Sequence, residues 1–164
     1  MANKENDRIS VRLAEASDAE DIKRLEDICF SGPWSKKAID DAFASENYRI
    51  FICRLQDTDA TEDEGVAAGY CIITLTDYEA ELCRIGVRPE FRRRGIGDRL
   101  LSTITDPDIT GGGREWFLEV RKSNIAAIEL YRKYGFTETG ERPDYYTDPK
   151  ENGISMKAEG PRRA

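Results

Sequence analysis

The period of the apolar positions changes several times along the chain, and each change predicts an element. Ile9 to Leu13 alternate apolar and polar residues, as in a short half-buried strand. Ser17-Asp18-Ala19-Glu20 follows, a capping-box pattern of Ser with Glu three residues later, and Ile22, Leu25, Ile28 and Cys29 then recur at helical spacing. Ser31-Gly32-Pro33 breaks that helix, and Ser35 stands where it can cap a second one with Ala38, Ile39, Ala42 and Phe43 as its apolar face. Tyr48 to Leu55 and Ala67 to Leu75 read as consecutive strands joined by the acidic stretch Gln56 to Gly65, an exposed hairpin loop. Glu81 to Val87 is a third strand of this series, ended by Pro89. A helix starts near Ile96, carries Leu100, Leu101 and Ile104, and is closed by Pro107 and Gly111-Gly112-Gly113.

Trp116 to Val120 is a further apolar strand. Ser123 is placed to cap a helix with Ala126, Ala127, Leu130, Tyr131 and Tyr134 on its apolar face, and Gly135 to end it. Phe136 to Gly140 and Ile154 to Lys157 are candidate strands joined through Tyr145-Tyr146. The order β-α-α-β-β-β-α-β-α-β-β predicts a mixed α/β fold, a sheet with helices on its faces. No repeat or composition break divides the chain. A single domain over 1–164 is expected, with its core at about 9–157 and a disordered tail over 158–164.

Composition narrows the chemistry more than the fold. The 164 residues are 39% hydrophobic and 35% charged, an ordinary globular balance. The chain contains no histidine. That excludes a Ser-His-Asp triad, a Cys-His pair, a His-bearing zinc site and a His general base. The net charge of -7 argues against a nucleic-acid-binding surface and favours small or basic partners. The four cysteines, Cys29, Cys53, Cys71 and Cys83, sit in apolar runs without a C-x-x-C spacing, and read as buried thiols of a reducing compartment. With no apolar signal core in MANKENDRIS and no stretch near the ~18–20 apolar residues of a membrane span, a cytoplasmic protein is expected.

The stretch richest in chemical information is Arg92-Arg93-Arg94-Gly95-Ile96-Gly97-Asp98, between a strand and a helix. Glycines allow a tight turn, the first helical N–H groups lack an internal acceptor, and the helix dipole adds positive potential. Such a turn suits an anion, a pyrophosphate above all. No P-loop pattern is present, and Leu100 stands where a dinucleotide fingerprint needs its third glycine.

In its setting, Arg92-x-x-Gly95-x-Gly97 after Leu82-Cys83-Arg84-Ile85-Gly86-Val87 resembles the acetyl-CoA motif of the GNAT N-acetyltransferase superfamily. Trp116 to Asn124, Ala126-Ala127, Leu130-Tyr131 and Tyr134-Gly135-Phe136 are similar to that superfamily's second cofactor segment. Leu118-Glu119-Val120-Arg121, Ser123-Asn124, Tyr131, Pro33-Trp34-Ser35 and Tyr145-Tyr146 resemble, more narrowly, the bacterial ribosomal-protein-alanine N-acetyltransferases. The resemblance implies a mixed, mostly antiparallel central sheet flanked by helices. It implies acetyl-CoA as acetyl donor and no metal. The acceptor would be a protein N-terminus, the N-terminal Ala of a small-subunit ribosomal protein, with neither nucleic acid nor membrane as a direct partner. It places the general base on Glu119 and the general acid on Tyr131. Cofactor contacts fall on Ile85, Gly86 and Val87, on Arg92, Arg93, Arg94, Gly95, Ile96, Gly97 and Asp98, and on Asn124.

The chemistry asks for such groups. An N-terminal amine has pKa about 7.7–8.0 and arrives mostly protonated, so a base must take its proton, and without histidine a carboxylate is the obvious candidate. Backbone N–H groups around Gly86 would polarise the thioester carbonyl. Tyr145 and Tyr146 either line the acceptor cleft or pack a hairpin. Arg84 departs from the family pattern, which has a smaller polar residue there; pointed into the acceptor cleft, it would disfavour a cationic peptide. The helix after Gly97 is also short for the family. A GNAT enzyme acting on a small amine or a lysine side chain, and a CoA-binding module without turnover, are the alternatives.

Overall fold

The computed structural model of the chain describes residues 9–56 and 65–163. The N-terminal residues 1–8 and the acidic run 57–64, expected as a solvated loop, lie outside the described residues. The described residues form seven strands and five α-helices: β1 Ile9–Leu13, α1 Ala19–Cys29, α2 Lys36–Ala44, β2 Tyr48–Leu55, β3 Val66–Leu75, β4 Glu79–Val87, α3 Ile96–Ile104, α4 Pro107–Thr110, β5 Glu115–Arg121, α5 Ile125–Lys133, β6 Thr137–Thr147 and β7 Lys150–Glu159. The strands are hydrogen-bonded in the order β1-β2-β3-β4-β5-β7-β6. Pairing is antiparallel for β1–β2, β5–β7 and β6–β7 and parallel for β4–β5. The fold is thus the mixed, mostly antiparallel sheet with helices that the sequence led us to expect.

The chain divides into two compact units, Met1–Ile72 with Arg84–Leu100, and Ile73–Cys83 with Leu101–Ala164. In the first, β2 and β3 are apolar nearly throughout because both faces are covered. Ile50 to Cys53 and Ala68 to Ile72 are buried. The amphipathic α1 buries Ile22 and Leu25, and α2 packs on α1 and β2 through Ile39 and Ala42. The expected Ser17 cap is displaced. A short 3-10 turn, Ala16–Asp18, precedes α1, and the box is closed by Glu15 and Asp18, with Glu15 N donating to Asp18 Oδ2 at 2.8 Å. Asp18 wins because its carboxylate also receives Arg12 and Arg54. Ser35 caps α2 as expected, accepting from Ala38 N at 3.1 Å.

In the second unit, β5 alternates, with Trp116, Leu118 and Val120 buried and Phe117, Glu119 and Arg121 on the other face. Strand β6 carries a Pro, two register shifts and many charges, devices that suit the end of a sheet. The last strands are longer than their apolar cores suggested. β7 runs from Lys150 to Glu159, against the disordered tail expected from 158: Ala158 pairs with Trp116 and is buried. α3 ends at Ile104, ahead of Pro107 as expected, and Pro107 then starts a separate short helix, α4, capped by Asp106. Gly135, at φ +88°, ends α5 as expected. The cap at the other end is Asn124 rather than Ser123, its side chain accepting from Ala127 N at 3.3 Å.

All four cysteines are thiols. Cys53 and Cys71 are buried as expected, and burial pushes the Cys53 thiol up to about 12 and raises Cys71 as well. Cys29 and Cys83 are only partly covered. Among the described residues no helix is long and apolar enough to cross a membrane.

Candidate active site

The predicted site residues divide between the two units: Ile85 to Val87 and Arg92 to Asp98 in the first, Glu119, Asn124 and Tyr131 in the second. In the first unit the turn after β4 is built for a left-handed backbone. Arg93 has φ +64° and Gly95 φ +79°. Nothing lies within 4 Å of a Cβ built on Gly95, so its backbone conformation, not crowding, calls for glycine. The first α3 hydrogen bond runs from Arg99 N to Gly95 O at 2.9 Å, which leaves the N–H groups at the start of α3 without a helical acceptor. Arg93 and Arg94 are exposed beside them. Arg92 turns back instead, its Nε donating to Val87 O at 3.0 Å and tying the turn to β4. The turn is thus a left-handed, arginine-rich backbone that leads into the first turn of α3.

Gly86 serves packing in this unit. A Cβ there would meet Tyr70 Cε1 at 2.8 Å and Cys29 Cβ and Sγ at 3.2 Å. Two residues earlier on the same face, Arg84 meets α1 and the segment that follows it. Its Nε lies 3.3 Å from Glu26 Oε1, its Nη2 donates to Gly32 O at 2.6 Å, and its guanidinium lies 4.2 Å from the centre of the Phe30 ring. Glu26 is fully buried. It also accepts from Tyr70 Oη at 2.5 Å and from Trp34 N at 2.8 Å. Burial first, then the adjoining Glu26 charge, raises the Tyr70 phenol far above its ordinary value, so it stays a donor. The Arg84 side chain is therefore neutralised inside the first unit and ties residues 30–34 to β4.

In the second unit Glu119 projects from β5 into an open cleft of about 340 Å³. Phe117 gives the cleft an apolar side chain, and Thr139, Glu141, Arg142 and Ser155 border it with Glu119. Glu119 pairs directly with Ser155 across β5–β7, and Ser155 Oγ donates to Glu119 Oε2 at 2.6 Å. Arg142 Nε lies 3.3 Å from Oε1. Tyr131 is buried on α5, edge-on to Phe136 with ring centres 6.0 Å apart. Asn124 is the α5 cap. Tyr145 and Tyr146 stack edge to face at 5.0 Å, with Arg142 over the first ring and Arg121 over the second, and Tyr145 packs on Gly153. They pack the β6–β7 hairpin, one of the two roles the sequence left open. Ser155, Arg142 and Glu26 had not been singled out from the sequence. Each acquires its partner through strand pairing or helix packing, and neither kind of contact leaves a motif.

Residues 19–136 match the model of the acetyltransferase (GNAT) family, and the chain belongs to that family: it is an N-acetyltransferase. Among known proteins it is 34% identical over 149 residues to the ribosomal protein bS18-alanine N-acetyltransferase of Escherichia coli, covering 90% of this chain and 95% of that one. It is 29% identical over 149 residues to a protein of Bacillus subtilis named as a putative enzyme of the same activity, covering 91% and 94%. The crystal structure of the Escherichia coli ribosomal-protein-alanine N-acetyltransferase superposes with a TM-score of 0.78 at 31% identity, covering 95% of each chain.

Proposed function

We propose that the chain acetylates the N-terminal α-amine of a protein, the N-terminal Ala of a small-subunit ribosomal protein, using acetyl-CoA as donor, and that its two units serve one domain and one reaction. The observation that carries the reading is the Glu119 carboxylate, held by Ser155 on the wall of an open cleft. The likeness to relatives named for this activity supports the acceptor. The left-handed turn at Arg93 and Gly95, at the start of α3 and with exposed arginines, fits the pyrophosphate of the donor. Arg92 supports that turn, and Asn124 sets the start of α5.

The donor supplies an acetyl thioester; the chain supplies proton handling and positioning. Glu119 takes a proton from the acceptor ammonium. The freed amine attacks the carbonyl carbon, polarised by backbone N–H groups of Ile85 to Val87, and the C–S bond breaks. Tyr131 gives its proton to the departing thiolate, and the second proton that the nitrogen sheds as the amide forms restores the phenol. With a phenol near 10 and a thiol near 8.5, full transfer is uphill by roughly 2 kcal/mol, which a late proton transfer tolerates. The cytoplasm is the compartment in which such an acceptor and reduced thiols meet.

The test is mass-spectrometric acetylation of a basic peptide that begins with Ala, beside a lysine peptide with a blocked N-terminus and free polyamines. The peptide N-terminus should be the preferred acceptor, and Glu119→Gln and Tyr131→Phe should each lower kcat by about 100-fold. Preference for lysine or a polyamine overturns the acceptor. Full turnover in both variants overturns the mechanism. Acetyl-CoA binding with no transfer to any amine would make the protein a binding module.

A further inference from the structure

Each oxygen of the Glu119 carboxylate has a partner, and the two partners differ in kind. Oε2 accepts a 2.6 Å hydrogen bond from Ser155, whose backbone stands directly opposite in the β5–β7 pairing. That contact joins neighbouring residues of two paired strands, so the sheet holds the two side chains side by side. Oε1 faces Arg142 Nε at 3.3 Å. Arg142 stands on β6 where the β6–β7 register shifts, its side chain is 60% exposed, and the guanidinium also leans on Tyr145 at 5.4 Å. One contact is anchored and the other is exposed and labile. An ammonium that approaches Oε1 meets the like charge of that guanidinium.

Resting on the reading of Glu119 as the base, we infer that its two oxygens have separate tasks. Ser155 is a positioning residue that fixes the carboxylate through Oε2, and Arg142 is a cationic placeholder on Oε1, the oxygen that takes the acceptor's proton. The acceptor arrives as an ammonium, with the charge of the guanidinium it displaces. The carboxylate therefore exchanges one cation for another and is never left in the cleft without a counter-charge. A neutral acceptor would have to break the Arg142 pair without replacing it, so the arrangement selects acceptors that arrive protonated. The proton balance is unchanged: one N–H bond of the ammonium breaks, one O–H bond forms at Oε1, and the guanidinium keeps all of its protons as it swings to solvent.

Steady-state kinetics on the full chain, with acetyl-CoA and an Ala-initiated peptide, separate the two tasks. Ser155→Ala should lower kcat by about tenfold with the KM for acetyl-CoA unmoved, and Ser155→Thr, which keeps the hydroxyl, should recover most of the loss. Arg142→Gln should lower the KM for the peptide by about threefold, because the competitor for Oε1 is gone. Thermal unfolding of each variant shows that it is folded. Ser155→Ala with wild-type kcat, Ser155→Thr no better than Ser155→Ala, or Arg142→Gln with an unchanged or higher peptide KM overturns the inference. Glu119→Gln is run beside them. If it is inactive while the other variants behave as wild type, this inference alone fails; if it is fully active, the base assignment fails and takes the inference with it.

Discussion

Replacing Arg84 by Met tests whether that side chain is the counter-charge of a buried carboxylate or a cation facing an acceptor. Met keeps the unbranched stem and its contact with Phe30 but removes the guanidinium that stands 3.3 Å from Glu26 and bonds Gly32 O at 2.6 Å. Glu26, at 0% exposure, would keep only Tyr70 Oη and Trp34 N. Removing one partner of a buried ion pair costs about 3–5 kcal/mol, because the other charge is left uncompensated. The two surviving hydrogen bonds, and the 18% exposure of the Arg84 side chain, favour the lower end, about 3 kcal/mol. At roughly 2–4 °C per kcal/mol for a chain of this size, Tm should fall by about 6–12 °C. The assay is thermal unfolding by circular dichroism near neutral pH for wild type, Arg84→Met, Glu26→Gln and the double variant. A neutral amide in place of the Glu26 carboxylate needs no counter-charge, so the double variant should be less destabilised than the two single losses added together, by about 1 kcal/mol or more. Arg84→Met unfolding within about 1 °C of wild type, or strictly additive losses, would refute the reasoning.

Other consequences follow from the same unit. Burial alone would raise the Asp18 carboxyl, but hydrogen bonds from Arg12, Glu15 N and Arg54 outweigh it and hold the group well below its ordinary 3.8. The folded value being the lower one, Asp18 stabilises the fold above 3.8, and that contribution fades as pH falls toward the folded value. Asp18→Asn should therefore lose about 2 kcal/mol in urea unfolding by an equal margin at about pH 7 and 5, with the gap closing only in stronger acid; a gap already shrinking between those two would assign it to another group. Gly86→Ala should cost about 1–3 kcal/mol through its clash with Tyr70 and Cys29, measured the same way; a neutral result would show that α1 yields.

The parts of the site that were legible in the sequence are the ones made by consecutive residues. A strand, a turn with glycine at a positive φ and the first turn of a helix are all local, so the basic turn from Arg92 to Asp98 into α3 could be read directly. The strand alternation that sends Glu119 away from Trp116, Leu118 and Val120 is equally local. What surrounds Glu119 is not. Ser155 lies 36 residues away and reaches it only because β7 inserts between β5 and β6. Arg142 depends on a register shift in β6, a strand whose polar composition gave no period to count. The same reason explains the misplaced caps. Ser17 and Ser123 are good cap residues by type. Asp18 and Asn124 take the positions because the chain geometry there, and for Asp18 two arginines from β1 and β2, favour them. Arg84 could be flagged from the sequence as unusual but not oriented, since its partner Glu26 lies on a helix 58 residues earlier.

The absence of histidine gives the acceptor chemistry a clean background. Between about pH 5 and 8 no side chain of this composition has its ordinary pKa, so folding stability has little reason to vary there. The Asp18 contribution is complete throughout that window because its folded and ordinary values both lie below it. A change of kcat/KM with pH inside the window then cannot be charged to unfolding, and no imidazole can be its source. It must come from the acceptor amine, whose ordinary pKa is about 7.7–8.0 at an N-terminus and about 10.4 on a lysine, or from the groups that handle its proton. Comparing the profile for an N-terminal peptide with that for a lysine peptide separates the two: a limb that moves with the acceptor belongs to the amine, and one that stays belongs to the protein.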